Sequence, residues 1–283
     1  MRPGGSSQTA VMVCVGRAIA HGTTRVTRFS DPTALALLPE DAKVLVERIR
    51  SGVPPAGGRE GWQRGSILAR SRLMVARTVA IDDALRETAA NQVVILGAGL
   101  DGRAWRMREL GSSTVFEVDH PDSQRDKRAR VPGLVPMARE VRFVAVDFTR
   151  DDLDKALCAA GHNPASPTTW IWEGVVMYLT RAQVEATLEV IARRSAARSR
   201  LVIAYHAPAL LLLLVGLLVR RLGEPLRSAF KPGAMRSLLC RYGFQVTRDD
   251  DIPTIAGRLD PDLGRATRMM KHMRITVADR NGV

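Results

Sequence analysis

At 283 residues, 46% hydrophobic and 25% charged, the chain is long enough to bury a substantial core, which argues against a disordered segment and a small disulfide scaffold. A formal charge of +13 raises nucleic acid and acidic lipid as partners, but the basic residues are spread over many segments without interleaved aromatics, so no nucleic-acid partner is expected. Cys14, Cys158 and Cys240 are too far apart for a disulfide framework or a zinc site, so no metal is expected and a reducing cytoplasm is the expected setting.

Met1 to Ala20 carries one early arginine and a short apolar run, Ala10 to Val15, too short for a secretory signal. Residues 33–50 have helical spacing in Leu35, Leu38, Val44, Leu45 and Ile49, interrupted at Pro39. Ser51 to Gly65 is rich in glycine and proline and predicts a loop. Ile67 to Ala89 predicts a long helix with an apolar stripe of Ile67, Leu73, Met74, Ile81, Ala84 and Leu85. Arg70 and Arg77 fall inside that stripe, and Arg72 projects from the far side. An arginine on a core-facing stripe needs an anion, either a structural carboxylate or a ligand's.

Strands are then predicted near 93–96, 114–118, 141–146, 168–172 and 200–205, alternating with helices near 103–110, 122–130, 151–160 and 181–197. Such alternation predicts an α/β fold with a parallel sheet and helices on both faces. Ala207 to Val219 is apolar but, at 13 residues, short of the roughly 20 that cross a bilayer, so a buried or substrate-facing helix is expected. A helix near 232–241 and strands at 243–247 and 273–277 complete the chain.

The apolar run Val93 to Leu96 leads into Gly97-Ala98-Gly99-Leu100-Asp101-Gly102, and the next strand ends in Asp119. Literally this is the dinucleotide fingerprint, and a nicotinamide-dependent oxidoreductase is the alternative reading. Asp101, however, would stand where a pyrophosphate docks and would repel it. A cationic ligand reverses that sign, and S-adenosylmethionine (SAM), with its sulfonium and ammonium, suits the loop.

Val94 to Arg106, Phe116 to Pro121, Val146 to Phe148 and Trp172 to Leu179, in this order, resemble the leucine carboxyl methyltransferase family, and its bacterial SAM-dependent O-methyltransferase branch in particular. Gly102 departs from the threonine usual there, and Ser30-Asp31-Pro32 from the usual Asp-Asp-Pro. The resemblance implies a class I, Rossmann-like methyltransferase: a seven-stranded, mostly parallel sheet with one reversed strand at the edge. It further implies a helical amino-terminal cap over 1–66, and a catalytic domain over 67–283 with a helical lid about 207–231. Gly97 and Gly99 would let the backbone approach the methionine moiety, with Asp101 near its cationic end. Asp119 would accept from the ribose hydroxyls and Asp147 from the adenine amino group, with Phe148 on the ring face. Glu173 and Arg70 would bracket the ammonium and carboxylate. Tyr178 is expected to reach the same cleft, and His206 is the best-placed base on sequence grounds should the acceptor be a hydroxyl. The apolar Leu211 to Leu214 and the Gly223-Glu224-Pro225 turn suggest a hydrophobic small-molecule acceptor, such as a polyketide or lipid-like acid. A third reading is a SAM-binding protein without turnover.

Overall fold

A computed structural model describes residues 7–88, 90–209 and 226–281. The leucine-rich segment with its Gly-Glu-Pro turn, and with it most of the expected lid, lies outside the described residues.

Seven strands, β1 (Gln92–Leu96), β2 (Thr114–Asp119), β3 (Glu140–Ala145), β4 (Thr168–Trp172), β5 (Arg200–His206), β6 (Phe244–Asp251) and β7 (Met273–Arg280), form one sheet in the order β3-β2-β1-β4-β5-β7-β6. Only β7 is reversed, antiparallel to both β5 and β6, so the reversed strand lies one in from the edge, not at it. β1 and β4 are buried along their whole length, as expected of strands covered on both faces. Their side chains alternate between two cores. Val93, Ile95 and Ile171 enter one; Val94, Leu96, Trp170 and Trp172 enter the other.

Among the described residues the helices are α1 (Gln8–Ala20), α2 (Glu40–Arg50), α3 (Gly58–Arg86), α4 (Arg103–Arg106), α5 (Pro121–Arg130), α6 (Leu153–Ala159), α7 (Arg181–Arg193), α8 (Pro232–Arg241), α9 (Ile252–Leu259) and α10 (Pro261–Ala266). None is long and apolar enough to cross a membrane. Pro39 splits the helical reading of 33–50: 33–38 form turns, and α2 starts after the proline. α3 begins at Gly58, inside the segment that composition predicts to be a loop. Its first turn is tied down by Arg48 Nη2 donating to Glu60 Oε1 at 2.8 Å and Ala56 N donating to Glu60 Oε2 at 2.6 Å, tertiary bonds that outweigh the glycine content.

The chain order reverses between β1 and β4, so β1, running up to its carboxyl end, faces a crevice flanked by the ends of β2 and β4. α3 precedes β1 and packs on α1, whose Ala10 and Val13 lean over that crevice.

Candidate active site

A cavity of about 420 Å³ opens over the carboxyl ends of the strands. Of the residues singled out in the sequence, Gly97, Gly99, Asp101, Asp119, Asp147, Phe148, Glu173 and Tyr178 line it. Arg70 and His206 do not, and Arg77 and Arg17 do.

The turn after β1 is left-handed at Gly97 (φ 71°) and Gly99 (φ 48°). Gly97 and Ala98 donate their N–H groups to the Val118 carbonyl at 2.8 and 3.0 Å. A Cβ at Gly97 would stand 2.0 Å from Val175 Cγ2. Gly97→Ala is therefore expected to combine a disfavoured backbone with overpacking, costing about 2–4 kcal/mol in urea unfolding. A loss under about 1 kcal/mol would show that the turn relaxes freely.

Asp119 closes the turn from the other side. Its Oδ2 accepts from Gly99 N at 2.5 Å and its Oδ1 from His120 N at 2.6 Å. Burial raises its pKa, and the two N–H groups counter only part of that. Asp147 instead caps its own loop: Thr149 donates to Oδ1 through its hydroxyl at 2.6 Å and its N–H at 2.9 Å, and Arg150 Nε reaches Oδ2 at 2.9 Å. The Thr149 hydroxyl bond is the main reason its carboxyl sits below the ordinary range.

Beneath the glycine turn, four arginines meet four carboxylates. Arg103 is the hub: Nε bonds Asp82 Oδ1 at 2.8 Å, and Nη1 bonds Asp101 Oδ2 and, at 2.9 Å, Glu173 Oε2. Arg106 Nη1 takes Asp82 Oδ2 at 2.7 Å, and Arg17 Nε takes Asp31 Oδ2 at 2.8 Å. Arg77 Nε lies 2.6 Å from Glu173 Oε1. The formal charges cancel, which is how this many ions stay buried. Burial opposes the charge on Asp101, but Arg103, Arg17 and Lys127 outweigh it and hold the carboxyl well below the ordinary range. Asp101 is thus not the free counter-ion that the loop sequence suggests, because Arg103 already neutralises it.

Of this cluster, Glu173 and Arg77 line the cavity, together with Asp101 and Arg17. Although close, Arg77 Nε and Glu173 Oε1 are misaligned, and both are buried atoms without a hydrogen bond. A buried ion pair on a cavity wall is complementary to a zwitterion, with the carboxylate for a ligand's cation and the guanidinium for its carboxylate. Arg77 occupies the place expected of Arg70. The latter is only partly buried, makes no ion pair among the described residues, and senses Tyr178 electrostatically.

His206 packs edge-on against His272, ring centroids 5.4 Å apart, with both ring nitrogens buried and unbonded. This placement does not suit a base acting in the cavity. Burial, then His272 and Arg77, push its pKa down to about 4, and burial and Arg194 do the same to His162. An unfolded chain takes up these protons near the ordinary 6.5, the folded chain only near 4, so protonation in that window favours unfolding. Stability is expected to hold above about pH 6.5 and to fall as pH drops toward 4. The urea midpoint against pH should show this slope, and His162→Phe and His206→Phe should flatten it; an unchanged slope in both would contradict the assignment.

A sequence model of leucine carboxyl methyltransferases matches residues 10–192. A protein of Frankia alni named as an S-adenosyl-L-methionine-dependent methyltransferase is 35% identical over 206 residues, 71% of this chain and 69% of that one. A Streptomyces coelicolor protein of the same designation is 37% identical over 205 residues, again 71% and 69%. Among solved structures, a duf574 family protein from Streptomyces avermitilis is similar in fold over 97% of this chain and 98% of its own, with TM-score 0.56 and 12% identity. The family match spans the glycine turn, the arginine–carboxylate cluster and the tip of β4, and on that ground this chain belongs to the leucine carboxyl methyltransferase family.

Proposed function

We propose that this methyltransferase uses SAM as its methyl donor and an oxygen of an apolar small molecule, most simply a carboxylate, as its acceptor. The Glu173–Arg77 pair beside the glycine turn carries the reading, because it sets opposite charges side by side on the cavity wall for the two ends of an amino acid moiety. Relatives named for dependence on S-adenosyl-L-methionine support it. Asp119 would hold the ribose, while Asp147 and Phe148 would bound the adenine side of the cavity. Asp101 would act through Arg103, whose guanidinium it shares with Glu173.

Bound SAM supplies a methyl group made electrophilic by the sulfonium. The chain's part is to place the acceptor oxygen in line and to exclude water, and positioning of that kind accounts for much of the acceleration in such displacements. A carboxylate acceptor needs no general base; of the histidines, His120 and not His206 lines the cavity. Ala10, Val13, Val175, Met177 and Leu179 make much of the wall apolar and favour a hydrophobic acceptor. The three cysteines are free, in keeping with a reducing cytoplasm.

Methyl transfer from labelled SAM across a panel of aliphatic, aromatic and hydroxylated acids tests this directly. Turnover rising with acceptor apolarity and producing base-labile methyl esters is expected. Turnover on hydroxyls alone, or equal turnover on hydrophilic acids, would overturn the acceptor assignment.

A further inference from the structure

Gly102 follows Asp101, yet its backbone is unremarkable (φ −104°), so conformation does not require a glycine there. Space does. A Cβ at 102 would lie 2.0 Å from Thr33 Oγ1 and 3.2 Å from Asp31 Oδ1. The side chain of Thr33, from the turn between α1 and α2, therefore occupies the volume that any side chain at 102 would take. Its hydroxyl donates to Asp31 Oδ1 at 2.8 Å, and Thr33 and Asp31 are both buried. Asp31 in turn holds Arg17 through Oδ2, and Arg17 Nη2 donates to the Leu100 carbonyl at 2.6 Å, inside the glycine turn.

We infer that Thr33 is a positioning residue for the cofactor turn, reaching across from the amino-terminal segment into the space beside Gly102 and fixing Leu100 and Asp101 through Asp31 and Arg17. It touches no ligand itself. Its hydroxyl satisfies one oxygen of Asp31 and so leaves the other aligned with Arg17. Without it, Oδ1 loses that donor and is left beside Arg106 Nε at 3.8 Å, a pull away from Arg17. The pin also couples two parts of the fold. By reciprocity, a ligand that tightens the turn must tighten the segment carrying Thr33.

This inference rests on the turn being a SAM site, and its test separates the two. SAM is titrated calorimetrically into the full chain, and amide exchange of residues 30–36 is followed with and without SAM. Thr33→Val is expected to weaken SAM binding by about 3- to 10-fold and to abolish the SAM-dependent slowing of exchange, Thr33→Ser to restore both. Gly102→Thr alone should bind more weakly still, and Thr33→Ala with Gly102→Thr should bind better than Gly102→Thr alone, since the slot that the new side chain needs is vacated. Equal affinity of the wild type, Thr33→Val and Thr33→Ser would overturn the positioning role. So would a double variant no better than Gly102→Thr, which also decides the matter should Thr33→Val not fold. Failure of the wild type to bind SAM would overturn the functional reading instead.

Discussion

Arg103→Met is expected to destabilise the fold by about 3–5 kcal/mol, a large share of the roughly 5–15 kcal/mol that holds a domain together. Arg103 is 2% exposed and binds three carboxylates from three elements: Asp82 of α3, Asp101 of the glycine turn and Glu173 after β4. Methionine fills much of the volume but leaves those acids facing Arg17, Arg77 and Arg106 alone, one positive charge short. The missing charge cannot be made up by solvent at this depth. Loss of the cooperative urea transition, or a midpoint shift of the stated size, is the expected result. A change below about 1 kcal/mol would mean that the acids protonate or rearrange cheaply and that the cluster is not what aligns the site.

Glu173→Gln is expected to separate binding from folding. The amide keeps the shape and one acceptor oxygen, so Arg103 Nη1, now 2.9 Å from Oε2, retains a bond, and the charge facing Arg77 disappears. A charge-assisted hydrogen bond contributes about 1.5–3 kcal/mol, so SAM affinity should fall about 10- to 100-fold, and the uncompensated charge on Arg77 should lower the urea midpoint while the transition stays cooperative. Calorimetry beside a urea curve checks both. Unchanged affinity would remove Glu173 from the ammonium side of the site. Weakening in step with collapse of the fold would reduce it to a structural member of the arginine cluster.

Much of this fold is legible in the sequence because parallel strands covered on both faces must be apolar throughout. Val93 to Leu96 and Trp170 to Trp172 announce themselves, and the seven strands overlap the expected ranges, although β6 runs on to Asp251, beyond its expected end at 247. Helix starts are less legible where tertiary bonds decide them. Glycine and proline mark 51–65 as loop, but Glu60, held by Arg48 and the Ala56 N–H, draws α3 back to Gly58. The position of the reversed strand is decided by pairing across β5 and β6, which no local pattern encodes.

The site divides in the same way. Residues at strand ends, Gly97, Asp119, Asp147 and Glu173, are found by their place after an apolar run, and all line the cavity. His206 also ends a strand, but β5 lies farther from the crevice, and its ring turns to His272. Arg70 and Arg77 are seven residues apart, about two helical turns, so they share a face and periodicity cannot say which stands level with Glu173. That level is set by where α3 ends and β1 begins. Least legible is the arginine–carboxylate cluster, since a sequence displays charges but not their partners. Asp101 reads as a free acid until Arg103, two residues on, is seen to fold back against it.

Titration of the full chain with SAM, its demethylated product and NADH, in parallel on wild type and Arg77→Met, tests the central claim most directly. Binding of the first two ligands and not NADH, with at least a 10-fold loss on Arg77→Met, is the predicted result. Preference for NADH, or SAM binding indifferent to Arg77, would contradict the assignment of the Glu173–Arg77 pair as the receptor of the donor's amino acid end.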